Sequence, residues 1–236
     1  MMARQLPLGI SPRLTYSLDG YLPGDNPEVL HHLRRMAGGN GARFLYLSGG
    51  PGSGRSHLLQ ALCNQVSGQG GQAIYLPLKS FAEGAPADFT SLPESMLLAL
   101  DDVQAVAGDR AWEQALVGAF DAVRLSGGRI IASGNAPAPS LGLLLPDLLS
   151  RLQWGEIQTL RPLSDEDKLE LLRRKGEEAG LAVGEEVGRY LLNRVSRDLP
   201  TLLGWLAKLD RESLAAQRRL TIPFVREVMA RDAIQT

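Results

Sequence analysis

The sequence predicts an α/β chain: a three-layer domain built on a parallel sheet, followed by a small all-helical domain. Three observations predict it. Short apolar runs, which read as buried strands, alternate with helical spacing up to about residue 160, and such alternation implies parallel crossovers. A glycine-rich turn joins the first of these strands to a helix. Beyond residue 160 only helical periodicity remains.

The elements follow in order. Residues 1–27 carry Pro7, Pro12 and Pro23 and read as an extended arm. His31 and His32 sit on an early helix with Leu30 and Leu33, at least one of them facing solvent; the three histidines make no metal site. Phe44-Leu45-Tyr46-Leu47 is the first strand and Ser56 to about Val66 the first long helix. Ala73-Ile74-Tyr75-Leu76 and Met96-Leu97-Leu98-Ala99-Leu100 are the second and third strands. Trp112, Leu116, Phe120 and Val123 are spaced as one helix face, and Arg129-Ile130-Ile131-Ala132-Ser133 is the fourth strand. Ser164-Asp165-Glu166-Asp167 has the form of a capping box and opens a helix through Leu169 and Leu172. Helices over Glu185–Val195, Leu199–Leu209 and Pro223–Met229 complete the pattern. The chain divides into an arm (1–27), an α/β core (28–160) and a helical part (161–236).

Composition bounds the function. Of the 236 residues 44% are hydrophobic and 22% charged, the balance of an ordinary globular protein. The net charge is −1, and basic and acidic residues stay nearly balanced after Arg151. The composition shows no basic stripe of the kind that announces autonomous DNA binding, and a local patch stays open. The single cysteine, Cys63, lies among Leu58, Leu59 and Leu62. It reads as a buried apolar residue rather than a reactive thiol, and fits a reducing cytosol. No apolar run is long enough for a transmembrane helix, and the first residues lack a signal-peptide core.

Three constellations carry chemistry. Gly49-Gly50-Pro51-Gly52-Ser53-Gly54-Arg55-Ser56, with His57 next to it, matches the phosphate-binding pattern G-x-x-x-x-G-K-[ST] except that Arg55 replaces lysine. Its glycines let backbone N–H groups turn toward phosphate oxygens at a helix N-terminus. Ser56 is placed to contact Mg²⁺. A guanidinium keeps the charge but is a broad fork, so phosphate binding with weak hydrolysis is expected. The plain alternative is a glycine turn without a ligand. The second constellation is Asp101-Asp102, closing the third strand where parallel sheets place their ligands. Asp101 would hold Mg²⁺ and Asp102 would orient or activate an attacking water; otherwise a strand is simply ending in solvent. The third is Asn135, after the fourth strand, a candidate sensor of a terminal phosphate or an ordinary turn residue.

At these residues a resemblance becomes specific. Leu98-Ala99-Leu100-Asp101-Asp102-Val103-Gln104, Phe120-Asp121-Ala122 and Arg129-Ile130-Ile131-Ala132-Ser133 resemble the AAA+ core of DnaA in order and spacing. Leu149-Ser150-Arg151-Leu152-Gln153-Trp154-Gly155 is similar to the segment that carries its arginine finger. DnaA would continue into a helix-turn-helix domain, which the residues up to Thr236 do not contain. The stretches 162–169 and 216–225 resemble the lid of the Hda family, the regulators that inactivate DnaA, and Gln5-Leu6-Pro7-Leu8-Gly9-Ile10 resembles that family's sliding-clamp-binding peptide. Pro200 stands where DnaA has its nucleotide-sensing arginine, with Arg197 the nearby candidate replacement.

The resemblance implies an AAA+ P-loop core with a helical lid, holding ADP or another adenine nucleotide with Mg²⁺. It implies Arg151 as a finger given in trans to ATP on DnaA, and Gln5, Leu6 and Leu8 as contacts to the DNA polymerase III β clamp. Little intrinsic ATPase is expected, nor sequence-specific DNA binding or membrane contact. Self-association as a homodimer or higher, and a bacterial cytoplasmic location at the nucleoid through the clamp, are implied too. Taken from the residues alone, Arg151 could instead be a surface arginine packed near Trp154. The rival functions are an autonomous ATPase or helicase loader of the DnaC or IstB kind, and an origin-binding initiator.

Overall fold

The computed structural model describes residues 16–86, 89 and 93–235. The elements are α1 (Pro27–Ala37), β1 (Phe44–Gly49), α2 (Arg55–Gly68), β2 (Ala73–Pro77), β3 (Leu97–Asp101), α3 (Arg110–Leu125), β4 (Arg129–Gly134), α4 (Pro146–Leu152), β5 (Glu156–Leu160), α5 (Asp165–Ala179), α6 (Glu185–Arg194), α7 (Leu199–Ala216) and α8 (Ile222–Gln235). The strands form one five-stranded sheet in the order β2-β3-β4-β1-β5, and every pairing is parallel.

The sheet is covered on both faces, which explains why its central strands read as continuous apolar runs. Along β3, Leu97 and Ala99 join the core cluster on the α1–α2 side, while Leu98 and Leu100 join the one on the α3–α4 side. Residues 156–160 add a fifth strand that the apolar-run pattern does not announce. It is an edge strand, and Ile157 is half-exposed.

Two helix starts show the sequence acting directly. Asp109 caps α3 by accepting the Ala111 and Trp112 N–H groups. Ser164 and Asp167 complete the expected capping box at α5. By contrast, α4 begins at Pro146, and Leu145 at its cap position offers no capping side chain. Its approach is held instead by Glu113 of α3, a fully buried carboxylate. Glu113 accepts the backbone N–H groups of Gly108, Leu144 and Leu145 at 2.7–2.9 Å.

The described part of the arm does not stand away from the core. Leu18 and Tyr21 are buried in the α1–α2 cluster, and Asn26 exchanges hydrogen bonds with the backbone of Arg161. The helices after β5 enclose a third core of their own, centred on Leu191, Leu202, Leu209, Phe224 and Val225. Cys63 is buried, and burial pushes its thiol up to about 12, as an inert apolar cysteine requires. His31 is exposed and His32 pairs with Glu156. Among the described residues no group of His, Cys, Asp and Glu could hold a metal by itself, and no helix is long and apolar enough to cross a membrane.

Candidate functional site: a phosphate loop facing two aspartates

Parallel pairing puts the carboxyl ends of β3, β4 and β1 side by side on one edge of the sheet. The glycine loop leaves β1, the aspartate pair closes β3, and Asn135 follows β4, so three segments far apart in sequence converge where α/β sheets bind ligands.

The loop is shaped by glycines in a backbone conformation that strains any other residue. Gly52 and Gly54 have φ of +74° and +92°, a region that costs an L side chain roughly 1–2 kcal/mol. A Cβ on Gly54 would lie 2.7 Å from Cε2 of Tyr21, whose hydroxyl donates to the Ser53 carbonyl. Gly52 faces the lid: its Cβ would meet the backbone nitrogen of Leu199 at 3.5 Å and Cδ of Pro200 at 3.9 Å. The start of α7 therefore stands directly over the phosphate loop. Pro200 packs there without offering a donor, and Arg197 is engaged with Asp165 at 2.7 Å.

Two buried side-chain atoms have no hydrogen-bond partner among the described residues: Ser53 Oγ and Arg55 Nη1. Both belong to the loop. Buried polar atoms are nearly always satisfied in native proteins, so a pair of orphans in a glycine loop at a helix N-terminus is what a phosphate-accepting cradle presents. The residues present fit a bound nucleotide phosphate.

The acids are held by residues that sequence reasoning did not single out. Asp101 is buried. Its Oδ1 accepts from Ser133 Oγ at 2.5 Å and its Oδ2 from the Tyr75 hydroxyl at 2.7 Å. The Ser56 side chain also acts on the Tyr75 hydroxyl, so Ser56 and Asp101, the two expected Mg²⁺ contacts, both lie near that phenol. Burial and the Asp101 carboxylate push the Tyr75 phenol above its usual range. A metal there would need phosphate and water oxygens to complete its shell.

Asp102 has left-handed backbone, φ 59° and ψ 57°, unusual for a residue other than glycine and characteristic of functional sites. Its N–H donates to Ser133 Oγ at 2.9 Å, and its Oδ1 accepts from Gln104 Nε2 at 2.8 Å and forms an ion pair with Arg55 Nη2 at 3.1 Å. Gln104 in turn accepts the Asn135 N–H at 3.1 Å. The Asn135 residue is exposed at the rim.

His57 points elsewhere. Its ring packs against Tyr16 and Tyr21, and Nε2 meets the Ser17 carbonyl at 3.1 Å. It fastens the arm to the loop helix. Burial lowers its basicity, and nearby Lys175 of the lid acts in the same direction. The clamp-peptide residues Gln5, Leu6 and Leu8 lie outside the described residues.

Arg151 occupies the last turn of α4. Nη2 and Nε grip the Asp121 carboxylate of α3, the shortest contact being 2.9 Å, and Nη1 donates to the Asp147 carbonyl. The guanidinium also lies 5.1 Å from the ring centre of Trp154, which is 39% exposed. These partners are all on α3, on α4 or just after it, and none belongs to this chain's phosphate loop.

The comparisons with known proteins bear on this architecture. Domain III of the DnaA replication initiation protein from Thermotoga maritima superimposes with a TM-score of 0.77 at 21% identity, covering 92% of this chain and 96% of that one. AMPPCP-bound DnaA from Aquifex aeolicus gives 0.69 at 22% identity, with 83% of this chain matched to 65% of that longer one. A single-site variant of RuvB from Thermotoga maritima gives 0.69 at 16% identity over 91% of this chain and 71% of that one. Residues 165–229 match the family model of the Hda lid domain. The chain shares the fold of these DnaA and RuvB structures, and its residues 165–229 match the Hda lid domain. In that lid the helix start at Leu199-Pro200 is the part that reaches the phosphate loop.

Proposed function

We propose that this AAA+ protein is a regulatory inactivator of DnaA. Its own pocket retains an adenine nucleotide, ADP, with Ser53, Arg55 and the loop amides on the phosphates and with Ser56 and Asp101 toward Mg²⁺. The bound nucleotide organises the core against the lid. Arg151 serves a second active site: it completes the pocket of ATP-bound DnaA, whose ATP is then hydrolysed, leaving the initiator in its ADP form. The arm, through Gln5, Leu6 and Leu8, tethers the protein to the β sliding clamp and couples the signal to replicated DNA. Self-association is part of the same reading, as is a cytoplasmic location at the nucleoid.

The observation that carries the proposal is the placement of the two arginines. Arg55 is committed to this chain's own loop and Asp102, whereas Arg151 is braced by Asp121 and Trp154 with no partner in that loop. A guanidinium supplied in trans is worth about 10³–10⁵ in rate in other nucleotide hydrolases. The Hda-type lid and the DnaA-like core support DnaA as the recipient.

The test is the turnover of DnaA-bound ATP in the presence of clamp loaded on DNA. The parent protein stimulates it, and Arg151→Ala loses about 10³-fold or more of the stimulation while still binding ADP. An Arg151→Ala protein as active as the parent refutes the finger. Gln5→Ala with Leu6→Ala abolishes clamp binding and leaves ADP binding intact; retained clamp affinity refutes the tether.

A further inference from the structure

We infer that Arg55 is the residue that makes this pocket retain nucleotide instead of turning it over, by locking itself to Asp102. The inference rests on the proposed nucleotide-binding reading and names the device inside that site.

Hydrolysis of ATP in a P-loop pocket needs two free groups. A cation must follow the terminal phosphoryl group as charge develops on it. A carboxylate must align the water that attacks the γ-phosphorus and take its proton, as the new P–O bond forms and the bond to the β–γ bridging oxygen breaks, releasing ADP. Here one ion pair engages both candidates. Arg55 Nη2 stands 3.1 Å from Asp102 Oδ1, with the two side chains only 11% and 24% exposed. The same oxygen accepts a hydrogen bond from Gln104 Nε2 at 2.8 Å. The left-handed backbone at Asp102, pinned by the Ser133 hydroxyl, is part of what sets the carboxylate in this position.

The fork explains why retention survives. An ammonium is a single charge centre, which must leave an acid to follow a phosphate. A guanidinium spreads its donors over a plane and can serve two partners at once. Arg55 uses Nη2 on Asp102, while Nη1 remains buried and unpartnered. That prong is free for a diphosphate oxygen. The pocket therefore keeps its anion-binding capacity and gives up its chemistry.

The experiment compares the parent, Arg55→Lys, Asp102→Asn and the double variant. Three quantities are measured for the protein alone: ADP affinity by calorimetry, the melting temperature without nucleotide, and Mg²⁺-dependent ATP turnover. At saturating nucleotide, Arg55→Lys is expected to raise turnover about tenfold or more, the scale on which freed acid–base and electrostatic groups act. Adding Asp102→Asn removes the gain. Without nucleotide, the two substitutions lower the melting temperature non-additively, because each breaks the same pair. Arg55→Lys that turns over saturating ATP no faster than the parent overturns the inference, as do additive melting shifts. A parent chain that binds no ADP sinks the nucleotide reading itself, and this inference with it.

Discussion

Glu113→Gln is the change that best tests how the arginine-bearing helix is held. The carboxylate is fully buried and receives three backbone N–H groups. Oε1 accepts from Gly108 and Leu144, both at 2.9 Å, and Oε2 accepts from Leu144 at 2.9 Å and Leu145 at 2.7 Å. Glutamine keeps the shape but has one acceptor oxygen. Placed toward Gly108, its NH₂ faces the Leu145 N–H; turned round, it faces the Gly108 N–H. Either way one buried donor loses its acceptor, at about 1–3 kcal/mol. The bonds that remain lose charge assistance, which roughly halves their strength. Relief of the carboxylate's desolvation offsets part of this, leaving a net loss of about 2–3 kcal/mol.

The assay is urea unfolding followed by the fluorescence of the three tryptophans, among them Trp112, the buried neighbour of Glu113, with the slope checked to be unchanged. Because Leu144 and Leu145 lead into α4, the variant should also stimulate DnaA-bound ATP turnover less than its loss of stability alone explains. A glutamine variant within about 0.5 kcal/mol of the parent, the range of an ordinary surface substitution, would show that the three N–H groups find other acceptors and that Glu113 is not the brace.

Two further outcomes follow from the loop. Gly54→Val abolishes ADP binding and lowers the melting temperature together, because its side chain combines a φ of +92° with a 2.7 Å approach to Tyr21; clamp affinity is unchanged, and intact ADP binding counts against the loop reading. His57 is less basic in the folded protein than its ordinary 6.5, so the unfolded chain takes up its proton first. Its contribution to stability is full above pH 6.5 and declines as the pH falls below it. His57→Gln should flatten that decline in a pH series of thermal melts, and an unchanged slope removes His57 as its source.

The central strands are legible in the sequence because both faces are buried: Leu97 to Leu100 and Ile130 to Ala132 are apolar without interruption. The edge strand Glu156–Leu160 is not, because its half-buried positions are the polar Glu156 and Gln158 while Ile157 is exposed, so no apolar run marks it. The short helix that carries Arg151 lacks a capping signal, its anchor being a glutamate about thirty residues earlier. The same limit applies at the site. The glycine loop and the aspartate pair stand out as local patterns. Tyr75 and Ser133 do not, since they reach Asp101 from 26 and 32 residues away through the order of the strands. Sheet order is a property of packing that no short window of sequence contains.

The two arginines, at opposite ends of the proposed function, share one arrangement: each is paired to an aspartate at about 3 Å. For Arg55 the pair is internal to the pocket, and its persistence keeps the nucleotide unchanged. For Arg151, itself 16% exposed, the outer member of the pair is Asp121, which is 37% exposed. A partner's phosphate must compete with that carboxylate for the same fork. A terminal phosphoryl group gathering charge in the transition state outcompetes a carboxylate better than a ground-state phosphate does, so the bracing aspartate sharpens the finger's preference for the moment of hydrolysis. On this argument Asp121 preserves geometry in the free protein at little cost in rate. Asp121→Asn should weaken the brace and lower the stimulation of DnaA-bound ATP turnover without touching ADP binding. An unchanged stimulation would leave Trp154 and the Asp147 carbonyl as the only supports the finger needs.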